Sequence, residues 1–155
     1  YIKYLFFDTG VMQTLLGMSA SDILTSTEVE LVNKGGMSEM FAGLELIKYQ
    51  DCFIKPDIYY WQNTNKNSQA EVDYVFAHRG MVFPIEVKSG RQGSMQSLWI
   101  FMRQHHLHDA MRCSLEPFGE FVYYDPKDND FQRHVEIIPL YAISNIHLSA
   151  GEFGR

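Results

Sequence analysis

Apolar residues recur along this chain in two rhythms, and the switch between them marks its elements. Tyr4-Leu5-Phe6-Phe7 is a continuous apolar run, so residues 2–7 are predicted as a short strand. Asp8-Thr9-Gly10 breaks that run and can cap a short helix over residues 11–16. Residues 17–35 carry no firm rhythm. Ser26-Thr27-Glu28 is expected to start a short helix through Val32, which Gly35-Gly36 ends. Residues 38–49 form a firmer helix, with Met40, Phe41, Leu44 and Ile47 at helical spacing. Glu39, Gly43 and Leu46 fall on another line of it. Glycine inside a helix costs about 1 kcal/mol against alanine, so Gly43 implies close packing.

Alternation of period two then takes over. Residues 57–61 are predicted as a strand, and the polar residues 63–69 as a loop. Glu71–His78 is a second strand, with Val72, Tyr74 and Phe76 on one face and Glu71, Asp73, Val75 and Ala77 on the other. Arg79-Gly80 turns the chain into a third strand, 81–88. There Val82, Pro84, Glu86 and Lys88 share one face, while Ile85 and Val87 point to the other, under a helix. Residues 94–106 read as an amphipathic helix built on Leu98, Phe101 and Met102. Residues 120–125 and 134–141 are a fourth and fifth strand, joined by the turn Asp125-Pro126-Lys127-Asp128-Asn129-Asp130. From residue 37 the order is helix, three strands, helix, strand (α-β-β-β-α-β). That predicts an α/β (α+β) domain with a mixed central sheet flanked by helices.

Pairing about the Arg79-Gly80 turn sets Asp73 roughly opposite Glu86, with Lys88 two residues on. Periodicity alone leaves two readings open. One is a cross-strand Glu–Lys surface pair with an unrelated aspartate. The other is a divalent-ion site. Two buried carboxylates and an ammonium make chemical sense if Asp73 and Glu86 hold Mg²⁺ or Mn²⁺. The metal would polarise a water for attack on phosphorus, with Lys88 holding that water or stabilising the phosphate charge. The main-chain carbonyl of Val87 is a candidate further ligand.

Composition narrows this little. The 155 residues suit one domain, and 14% aromatics argue against disorder. The formal net charge of -6 counts against a stand-alone nucleic-acid binder, though not against binding that needs a metal. Cys52 and Cys113 form no C-x-x-C pair and are expected as two isolated buried thiols in a reducing, cytoplasmic setting. No run of about 18 apolar residues occurs. Neither a P-loop nor a hydrolase, zinc-protease or Rossmann motif is present. His105, His106 and His108 suit the end of a helix better than a zinc site. Trp61 and Trp99 are expected in the core or an interface.

The Asp73…Glu86-Val87-Lys88 pattern, with thirteen positions separating the acids, resembles the PD-(D/E)xK, or restriction-endonuclease-like, superfamily. Short motifs in the same order resemble one group within it. They are Tyr4 to Gly10, Glu39-Met40-Phe41 with Glu45-Leu46, Tyr60-Trp61, Glu71 to Val75, Pro84 to Gly90, Ser97-Leu98 and Ile138 to Tyr141. That group is the uncharacterised C-terminal domain of predicted AAA-type ATPases of bacteria and archaea. The resemblance spans nearly the whole chain. It implies a Mg²⁺- or Mn²⁺-dependent nuclease-like domain acting on DNA, attached to an N-terminal ATPase module. Residues 1–155 would then be one domain of a longer polypeptide, with 1–36 an extension and 37–142 the core. The superfamily's extra acid on the first core helix falls on Glu39, with Glu45 as the alternative. Glu71 is either an outer ligand or a surface residue. Gln96 matches a glutamine that some relatives place near the site. Val72 stands where the superfamily's proline would precede Asp73. The alternative function is a catalytically inactive module that regulates the ATPase or mediates its interactions.

Overall fold

The computed structural model of the chain describes residues 2–19, 34–64, 69–78, 80–90 and 93–146. Its helices are α1 (Thr9–Leu15), α2 (Lys34–Tyr49) and α3 (Gln96–Gln104), with a 3₁₀ helix at Leu140–Asn145. Its strands are β1 (Ile58–Gln62), β2 (Glu71–His78), β3 (Met81–Val87), β4 (Asp109–Ser114), β5 (Gly119–Asp125) and β6 (Phe131–Pro139). They form one mixed sheet in the order β1-β2-β3-β4-β6-β5. β3, β4 and β6 run parallel, and the other neighbours pair antiparallel. α3 makes the connection between the parallel strands β3 and β4, as such pairs require.

Each face of the sheet has its own core. Ala42 and Leu46 of α2 pack with Tyr74, Phe76, Ile85, Met111 and the 3₁₀ helix. Leu98, Phe101 and Met102 of α3 pack with Val72, Ala110 and Val135. Fully burying one such aliphatic side chain contributes about 1.5–3 kcal/mol. Trp61 meets Phe101 edge-on at 5.2 Å, and Trp99 stacks on Tyr123 at 4.3 Å, so both tryptophans belong to the α3 side.

Several expectations need correction. Residues 2–7 form no strand. They lie as an irregular arm with Tyr4 and Phe7 strongly exposed, because no sheet edge pairs with them. Gly35 and Gly36 do not end a helix; they lie inside the first turn of α2, which starts at Lys34. The helix expected over residues 26–32 falls outside the described residues. A strand missing from the sequence reading, β4, follows α3 directly. Its pattern was masked by Asp109, Arg112 and Ser114, yet Ala110 to Ser114 are all buried. Residues 140–141 belong to the 3₁₀ helix rather than to the last strand. Cys113 is buried, but Cys52 is exposed; both are free thiols.

The correction that matters most lies in β2. Strict alternation would put Val72 beside Tyr74 and Phe76. Instead Val72 joins Val75 on the α3 side, while Tyr74 and Phe76 face α2. The β1–β2 register explains it: Tyr59 pairs with Val75 but Trp61 with Val72, so Tyr60 alone spans Asp73 and Tyr74. The extra residue is a β-bulge, which shifts the facing of every residue beyond it.

Asp125 closes the far end of the sheet. It is fully buried and takes Arg103 through two bonds of 3.1 Å, together with Arg133 at 3.3 Å. Burial alone would raise its pKa. The Lys127 amide and the two guanidiniums outweigh that and hold it below the ordinary carboxylate range. This stabilisation is therefore present above that range and lost as pH falls through it.

Gly43 meets its expectation of close packing. The Tyr74 hydroxyl lies where a Cβ at Gly43 would stand, 2.5 Å away, and Leu5 Cδ1 would be at 3.0 Å. That hydroxyl is not free to move, since it donates to the Glu39 carbonyl at 2.8 Å. Gly43→Ala should therefore destabilise the chain by about 1–2 kcal/mol despite alanine's better helix propensity. Adding Tyr74→Phe should recover part of the loss; urea denaturation of the wild type and the two variants checks both outcomes.

Candidate metal centre

The hairpin ladder runs from His78–Met81 at the turn to Tyr74–Ile85 and stops there. Gly80 closes the turn with φ +78°, a conformation that glycine adopts without strain. Beyond Ile85, β3 pairs with β4 instead, through Glu86–Arg112 and Val87–Cys113. Asp73 sits in the bulge where β2 and β3 part. Its Oδ2 accepts the Val87 amide at 2.7 Å, so a side chain replaces the next rung of the ladder. Val87 thus enters the site through its N–H.

Carboxylate oxygens of Glu39, Glu71 and Asp73 lie within 4.8 Å of one another, and no other such group occurs among the described residues. Glu39 comes from α2, whose turn is fixed there by the Tyr74 hydroxyl on its carbonyl. Glu71 arrives because the bulge alters the facing of the residues before Asp73. Glu86 is adjacent but differently engaged. It is 5% exposed, and its Oε1 accepts the Lys88 ammonium at 2.5 Å. Its Oε2 has no hydrogen-bond partner in the protein. Buried polar atoms rarely stay unpaired, and such exceptions mark strain, catalysis or an ion.

The electrostatics join these groups into one site. Burial pushes the Asp73 carboxyl up to about 7, and the charges of Glu86 and Glu39 add to the shift against the Val87 amide and Lys3. Burial also raises Glu86, with Glu39 adding to the shift against Lys88 and Arg112. Tyr74 is raised by burial and by the charges of Glu39 and Asp73.

One group in the site has no counterpart in the sequence reading. The Lys3 ammonium pairs with Glu39, lies 3.6 Å from Glu71 and donates to the Asp73 carbonyl at 3.1 Å. The rings of Tyr74 and Tyr60 flank it at 4.9 and 5.6 Å. A groove of about 790 Å³ opens beside it, walled by Lys3, Leu5, Lys55, Tyr59 and Tyr60. The sequence placed Lys3 only within the strand expected over residues 2–7.

The remaining candidates fall elsewhere. Glu45 pairs with Lys48 at 2.7 Å on the exposed side of α2. Gln96 is exposed at the start of α3. His108 pairs with Asp109 at 3.0 Å, and among the described residues no histidine joins the carboxylate group. Arg79 of the hairpin turn falls outside the described residues. No helix among the described residues is long and apolar enough to cross a membrane.

Fold and site together define a mixed α/β domain with a carboxylate cluster, able to hold a metal ion, where a β-hairpin splits. The chain belongs to the DUF4143 family, described as a domain of unknown function, whose model matches residues 34–143. No curated protein matches the chain. The matched span contains Glu39, Glu71, Asp73, Glu86 and Lys88; Lys3 lies before it.

A carboxylate raised in the folded state binds its proton more tightly there than in the unfolded chain. It therefore costs stability as pH rises from about 4 through about 7. Without metal, the wild-type chain should lose roughly 2–4 kcal/mol over that window. Asp73→Asn should match it near pH 4, be the more stable protein at pH 8, and show a flatter profile. Urea denaturation in a chelator at several pH values measures this; parallel profiles would contradict the assignment.

Proposed function

We propose that this chain is a metal-dependent phosphodiesterase of nuclease type, acting on DNA, with a site of the PD-(D/E)xK kind. The observation that carries the reading is the meeting of Glu39, Glu71 and Asp73 oxygens beside the Glu86–Lys88 pair. The donor set is all oxygen, which suits Mg²⁺ or Mn²⁺ rather than a softer metal. The unpartnered Oε2 of Glu86 adds a further negative atom that a cation would satisfy. Asp73, Glu39 and Glu86 would hold the ion, with Glu71 beside them. When bound, it supplies an acidified water and stabilises negative charge on phosphate.

The chain's own residues complete the arrangement. Lys88 donates its ammonium to Oε1 of the buried Glu86, which holds the charge beside that carboxylate. There it stabilises charge that grows on a phosphoryl oxygen. Asp73 has to give up its proton to serve as a ligand, so metal binding would release that proton and tighten as pH rises. Tyr59 and Tyr60 line the neighbouring groove and offer flat faces to unstacked bases. The chain would work as one domain joined to an AAA-type ATPase module.

A second reading has one observation in its favour. Lys3 already neutralises part of the cluster, as expected of a catalytically silent module that regulates the ATPase. The pairing of Lys88 with the buried Glu86 favours the first reading.

The test is cleavage of plasmid and single-stranded DNA with Mg²⁺ or Mn²⁺. Asp73→Ala and Lys88→Ala should each lower the rate by about 10²-fold or more. Glu45→Ala should leave it unchanged. No cleavage by the wild-type chain, or cleavage untouched by the first two variants, would sink the proposal.

A further inference from the structure

Lys3 belongs to neither the hairpin nor α2, yet its ammonium stands where their carboxylates meet. It binds oxygens of all three acidic residues: the carboxylates of Glu39 and Glu71 and the main-chain oxygen of Asp73. Those are contacts a small hard cation would make. A lysine ammonium offers one positive charge and three donors, which satisfies this set only in part. Glu86 records the shortfall: it is buried, and its Oε2 remains without a hydrogen-bond partner.

The arm that carries Lys3 is loosely attached. Ile2, Tyr4 and Phe7 are 75%, 83% and 94% exposed, and α1 buries none of its residues. Leu5 is the arm's contact with the α2-side core, where it lies over Gly43. Ile2, Lys3 and Leu5 also form one wall of the 790 Å³ groove. Moving the arm would therefore uncover little core and would widen that groove.

We infer that Lys3 is a built-in competitor for the divalent cation: its ammonium occupies the carboxylate cluster until the metal displaces it. The inference rests on the metal reading above and adds a form of regulation to it. An ammonium and a divalent ion cannot share a few ångströms of partly dry space without strong repulsion. Metal entry therefore expels Lys3, lifts residues 2–5 and opens the groove. Conversely, whatever holds the arm down keeps the site closed.

Two measurements on the full chain test this, and neither reads activity. In the first, Mn²⁺ is titrated by calorimetry into wild type, Lys3→Met and Asp73→Asn. Lys3→Met keeps the aliphatic stem on Tyr74 and should bind Mn²⁺ about tenfold more tightly than wild type. The second needs no variant. Lys3 is acetylated by an amine-reactive reagent with and without saturating Mn²⁺, with exposed Lys48 and Lys127 as internal references. Its rate should rise about tenfold relative to theirs when Mn²⁺ is bound. If Lys3→Met binds no more tightly and Lys3 labelling does not rise, the competitor is overturned. Wild-type Mn²⁺ binding that is lost in Asp73→Asn would then leave the metal reading standing. If Mn²⁺ binds neither wild type nor Lys3→Met, the metal reading falls and the competitor falls with it. Should Lys3→Met fail to fold, the labelling of wild type decides alone.

Discussion

Carboxylates brought together in a partly dry place must either keep a proton or keep a cation, and this fold does both. Glu39, Glu71 and Asp73 come within 4.8 Å, with Glu86 buried on the neighbouring strand. Like charges so placed oppose one another's ionisation. Burial, with the charges of Glu86 and Glu39 added to it, pushes the Asp73 carboxyl up to about 7. Lys3 and Lys88 supply the cations, one from the arm and one from the end of β3. The buried Oε2 of Glu86 still has no hydrogen-bond partner.

The backbone imposes this crowding through one extra residue. Tyr60 spans both Asp73 and Tyr74, and the β2–β3 ladder ends at Tyr74. Without the bulge, Glu71 would face away from α2, and Asp73 would pair in register with Glu86 across a continuous ladder. With it, Asp73 spends its side chain on the Val87 amide, and Glu71 turns toward Glu39. Tyr74 then locks the arrangement from below: its hydroxyl holds the Glu39 carbonyl and fills the space that Gly43 leaves. A weak helix residue, a bulge and a buried phenol therefore serve one end, the placing of Glu39 over the split hairpin.

The sequence disclosed the strands that alternate cleanly and the helices that carry regular apolar lines. β2, β5, α2 and α3 were legible for that reason, to within a few residues at their ends. β4 was hidden because its buried residues include Arg112 and Ser114, whose burial depends on Glu116 and on the strands around them. The bulge was hidden because it is a property of two strands: β2 by itself alternates without a flaw. The site was half legible. Glu39, Asp73, Glu86 and Lys88 could be nominated from type and spacing, and Gly43 from its cost in a helix. Glu71 could not be told from a surface residue until the bulge turned it. Lys3 could not be nominated at all, since an arm with no secondary structure leaves no period to read.

The two lysines of the site differ in a way that bears on its use. Lys88 follows β3 directly, and its amide donates to the Cys113 carbonyl at 2.8 Å, so its ammonium stays close to Glu86 whatever the rest of the site does. Lys3 hangs from an arm whose neighbours are mostly exposed. One charge is fixed and the other is removable. A chain of net charge -6 repels a polyanion at long range. Its attraction for phosphate must then be created locally, and a dication that replaces a monocation adds one unit of positive charge at the point where phosphate would sit. On the proposed reading, expelling Lys3 therefore does more than vacate a position. The same exchange turns an internally balanced acidic cluster into a site that can accept a negatively charged backbone, and it moves the wall of the groove through which that backbone would enter.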